Sequence, residues 1–475
     1  MTDPTVPVCR WTALALTLLL TGCSGGGDGG NPGGGGSGGG GGSTACSETA
    51  RKDFVLRTTR EWYLFPELLP SSVDPAAFAT AEDLLDHLTA TARAQGKDRF
   101  FSFLTTRSAD STTLGEGQFV GFGFRNREEP GPIVRVLDVY EGSPAADAGM
   151  RRGDSILAID SGAGFVPIET VLAGDATLSD ALGPAEAGVR RGLRLENGGA
   201  TREVSMVKRT VTIDPVPDGF GSSVLPLAGT TGVGYLNLRA YVSTADSQLR
   251  DAFAQFRARN LDYYVIDLRY NGGGLVATAE LLGDLLGGAR AGGDVFQRYV
   301  YNPAKSNRNA TRTFRTVAQS VRPVRIAFLT TGASASASEI NVNGMAPWVE
   351  VAIVGADTFG KPVGQDAYDL GGCEDRLRLV TFSNQNSRGQ GDYFDGLAAT
   401  LPFACAADDA VSTPLGSTAD PMVAEALTWL QTGACSRTIG PVAVALRSKV
   451  SGPSDRADPA RRPANAVEAW LPGVH

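Results

Sequence analysis

The sequence predicts an α+β chain of several domains: a helical N-terminal segment, a domain of short β runs, and a layered α/β core. Three observations carry this. At 475 residues and 42% hydrophobic content, the chain can bury about two or three cores of roughly 150 residues each. The apolar residues change near Thr112 from helical spacing to short strand-like runs. From Gly232 onward, strand-like and helix-like segments alternate, as in a sheet covered by helices.

Ahead of these domains the sequence reads as an address and a tether. Trp11–Leu20 is an apolar run behind Arg10, shorter than the about 20 residues that span a bilayer and suited to a secretory signal. Leu20-Thr21-Gly22-Cys23 resembles a bacterial lipobox. That resemblance implies removal of residues 1–22 and lipidation of Cys23. Residues 23–44 are glycine-rich and read as a flexible tether spanning roughly 25 Å. Ser24 in place of Asp after the lipidated cysteine points to the outer membrane. The expected location is that of an exported lipoprotein, facing the periplasm or the cell surface.

Residues 45–108 carry helical spacing, with Leu84, Leu85, Leu88 and Ala92 on one face. Phe54, Thr58 and Trp62 mark an earlier helix that stops near Pro66. Residues 109–213 hold the β runs. Residues 214–438 hold the alternating core, closed by a helix with Asp420 and Pro421 at its start. Residues 439–475 are rich in Pro, Arg and Ala without clear periodicity, and poor order is expected there.

Charge and histidine content narrow the chemistry. A net charge of −8 gives no reason to expect nucleic acid as a partner. The two histidines, His87 and His475, leave little from which to build a Ser-His-Asp triad or a multi-histidine metal site. His87 lies beside an apolar helical face and reads as a surface residue. Cys46, Cys373, Cys405 and Cys435 remain once the leader and Cys23 are set aside. An even number in an oxidising compartment suggests two disulfides, of three possible pairings. Cys373–Cys405 and Cys46–Cys435 are the expected pairs. There is no C-x-x-C, so no metal is expected, and no cofactor.

Gly121-Phe122-Gly123-Phe124, followed by SPAADAGMRRGDSILAID, resembles a PDZ domain. The resemblance implies that the Gly121–Phe124 loop receives the terminal carboxylate of a peptide on backbone N–H groups, and that Gly153-Asp154 turns the chain.

Three stretches of the core could carry chemistry: DLRYNGGGL (267–275), TGASASASEI (331–340) and GADTFGKPVGQ (355–365). The first two each run from a strand through small residues into a helix. Such a junction exposes a serine and frees N–H groups that suit an oxyanion. Without a usable histidine the serine needs another base, and a lysine serves only if burial lowers its pKa. Lys361 follows the apolar VEVAIVGADTFG.

These motifs resemble the carboxy-terminal processing (tail-specific) peptidases, Ser–Lys serine proteases with a PDZ domain before a layered core of the crotonase/ClpP type. The resemblance implies Ser336 as nucleophile, Lys361 as base 25 residues later, and Gln365 as the group that orients the lysine. It implies an oxyanion hole from the N–H of Ala337 and one N–H of the glycine run, taken as Gly273, with Gly272 or Gly274 as alternatives. It extends from Glu61-Trp62-Tyr63-Leu64 to Leu430 and includes Asp98-Arg99-Phe100. Gly272 departs from the proline of many members. Ser205 and Lys208 also match an S-x-x-K pattern, but three residues apart on a strand they point to opposite faces. The function implied is an endopeptidase for unfolded or C-terminally tagged proteins. The alternative is a catalytically silent PDZ-containing binding protein of the same fold. Expected partners are proteins or peptides with accessible C-termini, and a membrane through the lipid.

Overall fold

A computed structural model describes residues 44–475 apart from 130, 132, 174–176, 291, 441–461, 464, 465 and 472. The leader, Cys23 and most of the tether therefore lie outside the described residues. Among the described residues, no helix is long and apolar enough to cross a membrane.

The helices Glu48–Trp62 and Ala81–Ala94 form the N-terminal segment. Their starts are fixed by side chains. Ser47 Oγ accepts from Ala50 N–H at 3.2 Å, and Thr80 and Asp83 exchange reciprocal bonds. Leu84, Leu85, Leu88 and Ala92 are buried with Phe54 and Val55 against Leu377, Leu379 and Val380. The helical reading stops short of Thr106. Phe103–Thr106 is a strand paired with the long strand Asp375–Gln385, because an available sheet edge outweighs local periodicity.

The β domain is an antiparallel meander of Phe124–Glu129, Ile133–Val139, Ser155–Asp160, Arg190–Asn197 and Ala200–Val207. Phe122, Val134, Val136, Ile156, Leu193 and Leu195 fill it. Gly153 makes its turn at φ +91°, a conformation that favours glycine. The S-x-x-K pair does not meet. Ser205 is exposed on its strand, whereas Lys208 is buried and donates to the carbonyls of Gly183 and Pro184.

The core is built on six strands in the order Ser222–Leu225, Val233–Asn237, Tyr263–Asp267, Arg325–Thr330, Glu350–Gly355, Phe403–Ala406. All neighbours are parallel except the first pair. Leu236, Ile266, Phe328 and Ile353 stand in register across one face and pack on the helices Ala245–Ala258, Val276–Leu286 and Ala337–Met345. Tyr235, Val265, Leu329 and Val354 line the other face, against Met422, Ala426 and Trp429 of the helix Pro421–Thr432. Burial on both faces explains why these strands read as continuous apolar runs. Asp420 caps the helix Pro421–Thr432, accepting from Met422 and Val423.

Two further expectations are corrected. The disulfides are Cys46–Cys373 and Cys405–Cys435, not Cys373–Cys405 and Cys46–Cys435. Cys373 sits in the turn before Asp375–Gln385, beside the first helix, where Arg51 pairs with Asp375 at 2.7 Å. Cys405 lies in the sheet, and the chain turns at Gly433 and comes back alongside it, with Ala406 N–H donating to Arg437 O at 2.8 Å. Spacing alone does not encode either approach. Non-reducing peptide mapping is expected to recover Cys46–Cys373; recovery of a Cys46–Cys435 peptide would refute the pairing. Replacing Cys46 and Cys373 by Ser opens a link between positions 327 residues apart and should cost up to about 5 kcal/mol of stability.

The tail is the second correction. Of the 439–475 stretch expected to be poorly ordered, residues 441–461 lie outside the described residues, but Ala466–Trp470 is helical and Trp470, Leu471 and Val474 are buried. Apolar residues too few to show a period still order a segment when a neighbouring domain offers a groove.

Candidate active site

Three loops meet at one edge of the core sheet. DLRYNGGGL leaves the end of Tyr263–Asp267, TGASASASE the end of Arg325–Thr330, and ADTFGK the end of Glu350–Gly355. These strands are consecutive neighbours in a parallel sheet, so all three motifs emerge at its carboxyl edge, where such sheets bind ligands.

Ser336 occupies the turn into the helix Ala337–Met345 with φ +55° and ψ −111°. A positive φ on a serine is strained, and the surroundings must hold it. The holding group is Glu339. One of its carboxylate oxygens accepts Ser336 N–H at 2.9 Å and Lys361 N–H at 2.8 Å, and the other accepts Gly360 N–H at 2.7 Å. A single buried oxygen therefore ties the backbones of both residues together. Burial pushes the Glu339 carboxyl up, while Thr358 and the three backbone donors pull it down.

The other two serines of the motif are committed. Ser334 donates its hydroxyl hydrogen to Leu268 O and Ser338 to Asn271 O, each at 2.8 Å. Among the described residues the Ser336 hydroxyl donates to none, and Ser336 is partly exposed.

Lys361 is 9% exposed. Burial pushes its ammonium down to about 8, with Asp98 and Glu339 opposing and Arg99 and Arg378 assisting. Its Nζ lies 3.5 Å from Gln365 Oε1 and 4.7 Å from the centre of the Phe101 ring. The Gln365 amide donates to Phe101 O, which turns its oxygen toward the lysine.

The glycine run packs directly on the serine turn. A Cβ at Gly273 would stand 2.9 Å from Ser336 Cβ and 3.0 Å from Ala337 N. Asn271 knits the two loops: its carbonyl accepts Ala335 N–H at 3.1 Å as well as the Ser338 hydroxyl. Its side chain accepts Gly273 N–H at 2.9 Å. The Gly273 hydrogen is thus already engaged, whereas Gly272, Gly274 and Ala337 give their N–H groups to no described residue. Asp267 and Arg269 are structural, in a buried array with Tyr235, Asp409 and Asp420.

Sequence reasoning assigned no role to Glu339, Asp98, Arg99 or Phe101. Asp98 is fully buried and accepts from Tyr63 OH, Phe101 N–H, Ser102 N–H and Ser102 OH. Arg99 donates to the carbonyls of Phe359 and Gly360 and stacks on Phe359. The N-terminal segment therefore clamps the lysine loop. The signal is present, since Glu339 lies within the serine motif and Asp98-Arg99-Phe100 within the N-terminal segment, but a partner 260 residues away leaves no local trace.

The remaining sites lie elsewhere. Gly123 and Phe124 direct their N–H groups at the main-chain oxygen of His475, while Phe122 is buried in the β domain. Gly121 approaches the same residue closely: a Cβ there would lie 2.8 Å from His475 C.

Residues 232–397, which contain all three motifs, match Peptidase family S41. Residues 50–103 match the Peptidase S41 N-terminal domain, and 135–162 a PDZ domain. The core and the N-terminal segment are those of peptidase family S41. It is 26% identical over 265 residues to a carboxyl-terminal-processing protease of Synechocystis, covering 54% of this chain and 56% of that one. It is 25% identical over 268 residues to the carboxy-terminal processing protease CtpA of Bacillus subtilis, covering 56% and 52%. The matched stretch thus spans little more than half the length of these S41 relatives. The crystal structure of a protein described as an S41 protease from Bacteroides fragilis superposes with a TM-score of 0.63 at 23% identity, covering 80% of this chain and 97% of that one. That likeness supports the shared fold.

Proposed function

We propose that this S41 protein is a serine endopeptidase acting through Ser336 and Lys361, exported and held to a membrane by lipid on Cys23. The observation that carries the catalytic reading is the Glu339 carboxylate, which gathers the backbones of serine and lysine while the lysine amine is buried.

Neutral Lys361 takes the Ser336 hydroxyl proton as the oxygen attacks a peptide carbonyl. Ala337 N–H, at the start of a helix, faces the developing oxyanion, with a second donor from the glycine run. Gly274 or Gly272 fills that place better than Gly273, whose hydrogen Asn271 holds. The protonated lysine then gives its proton to the leaving amine, and an acyl-Ser336 ester remains. Water, deprotonated by the same lysine, hydrolyses it. Gln365 keeps the amine aimed. The PDZ domain captures protein C-termini, favouring unfolded or C-terminally tagged substrates.

Ser336→Ala is expected to abolish digestion of a reduced, alkylated protein while leaving the thermal transition within about 1 °C. The base must be neutral, so wild-type activity should rise with pH through about 8. A rise centred near pH 6.5, or full activity in Ser336→Ala, would refute the dyad.

A further inference from the structure

The groove beside the Gly121–Phe124 loop is already filled, and by this chain. Gly123 N–H and Phe124 N–H donate to the His475 main-chain oxygen at 2.6 and 3.3 Å. His475 N–H donates to Phe124 O at 3.0 Å, and Asn126 N–H to Gly473 O at 3.1 Å. Val474 faces Arg125 in an antiparallel bridge. These bonds make residues 473–475 an added strand on the edge strand Phe124–Glu129, the mode by which sheet edges take up peptides.

Side chains anchor the segment as well. Trp470, Leu471 and Val474 are buried in one apolar cluster with Phe103, Phe119 and Tyr140. Trp470 Nε1 donates to Asp110 at 3.0 Å, and its ring meets Phe103 edge-on at 5.5 Å. A tryptophan with its one donor satisfied and its rings enclosed is a strong anchor.

We propose that residues 466–475 are a resident ligand of the PDZ domain in cis, which an incoming protein C-terminus must displace. This rests on the capture role given to that domain above. The two occupants exclude each other, because the N–H pair of Gly123 and Phe124 can hold one oxygen group at a time and the edge strand can pair with one partner. A ligand joined to its own groove acts at an effective concentration on the order of mM. A free peptide of equal intrinsic affinity at about 10 μM is therefore outcompeted roughly a hundredfold. Substrates admitted to the groove would be those whose C-termini bind better than this segment or arrive at high local concentration.

The test uses the Ser336→Ala background, so that no probe is cleaved. The full chain, a chain ending at residue 465, and the full chain with Val474→Asp are titrated against a fluorescent peptide of residues 466–475, read by polarisation. Both altered chains should bind at least tenfold more tightly than the full chain; equal affinity in all three overturns the proposal. If the shortened chain lacks a normal thermal transition, Val474→Asp, which keeps the helix and Trp470, decides alone. Digestion of a reduced, alkylated protein by the same three chains with Ser336 intact separates the two readings. Tighter peptide binding without digestion leaves the cis ligand standing and removes the peptidase. Digestion with no difference in peptide binding does the reverse.

Discussion

Lys361→Met is expected to lower peptide hydrolysis at least a thousandfold and, in the same protein, to raise the thermal transition near neutral pH. The first effect follows from the role proposed for Lys361, that of the base taking the Ser336 proton. The second follows from burial. A lysine with a folded pKa of about 8 and an unfolded value of about 10.4 is charged in both states below pH 8, and the folded state carries the full desolvation cost there. Between about 8 and 10.4 the unfolded chain holds the proton more tightly, so wild-type stability climbs with pH; above 10.4 the cost is gone. Methionine fills similar volume without the charge. The expected gain is about 3 kcal/mol at pH 7, on the order of 5 °C, shrinking toward zero by pH 10.4. Thermal melts of both proteins across that range check it. An unchanged or lowered transition at pH 7 would show that the amine is hydrated and unsuited to act as a base.

Glu339 should show the next largest effect. Glu339→Ala strands the N–H groups of Ser336, Gly360 and Lys361 in a buried site, each costing about 1–3 kcal/mol. Relaxation will recover part of this, and a net loss of about 3–5 kcal/mol is expected, with kcat down at least a hundredfold as the Ser336 turn drifts from its strained φ. Glu339→Gln keeps the shape and distinguishes positioning from mere packing. The carboxylate raises the Lys361 pKa, so its neutralisation should move the rising limb of the pH–activity profile below about 8. A limb that stays in place, with kcat unchanged, would reduce Glu339 to a packing residue.

The three core motifs were legible because the demands on their residues are local. Small residues must surround a serine that turns from strand to helix, and glycine is required where the 267–275 loop closes on that serine. At Gly273 a side chain would collide with Ser336, and at Gly274 with the Tyr241 carbonyl. The order of helical segment, β domain and α/β core was legible for a similar reason: burial on one face or two stamps a period on each element. Phe103–Thr106 was misread as helical because its sheet partner lies some 270 residues further on. The Glu339 clamp was overlooked because a glutamate in the first turn of a helix looks like an ordinary cap.

Sequence by itself determined which groups are available: a serine free of side-chain bulk, a lysine behind an apolar strand, glycines in the facing loop, and two histidines that both lie outside these motifs. Tertiary structure decided what those groups do to one another. Parallel pairing set the three motifs side by side, one carboxylate joined serine to lysine, and a closed interior stripped water from the amine. It also settled which cysteines meet and where the tail lies. Those outcomes depend on distances between residues far apart in the chain, and sequence spacing does not record them.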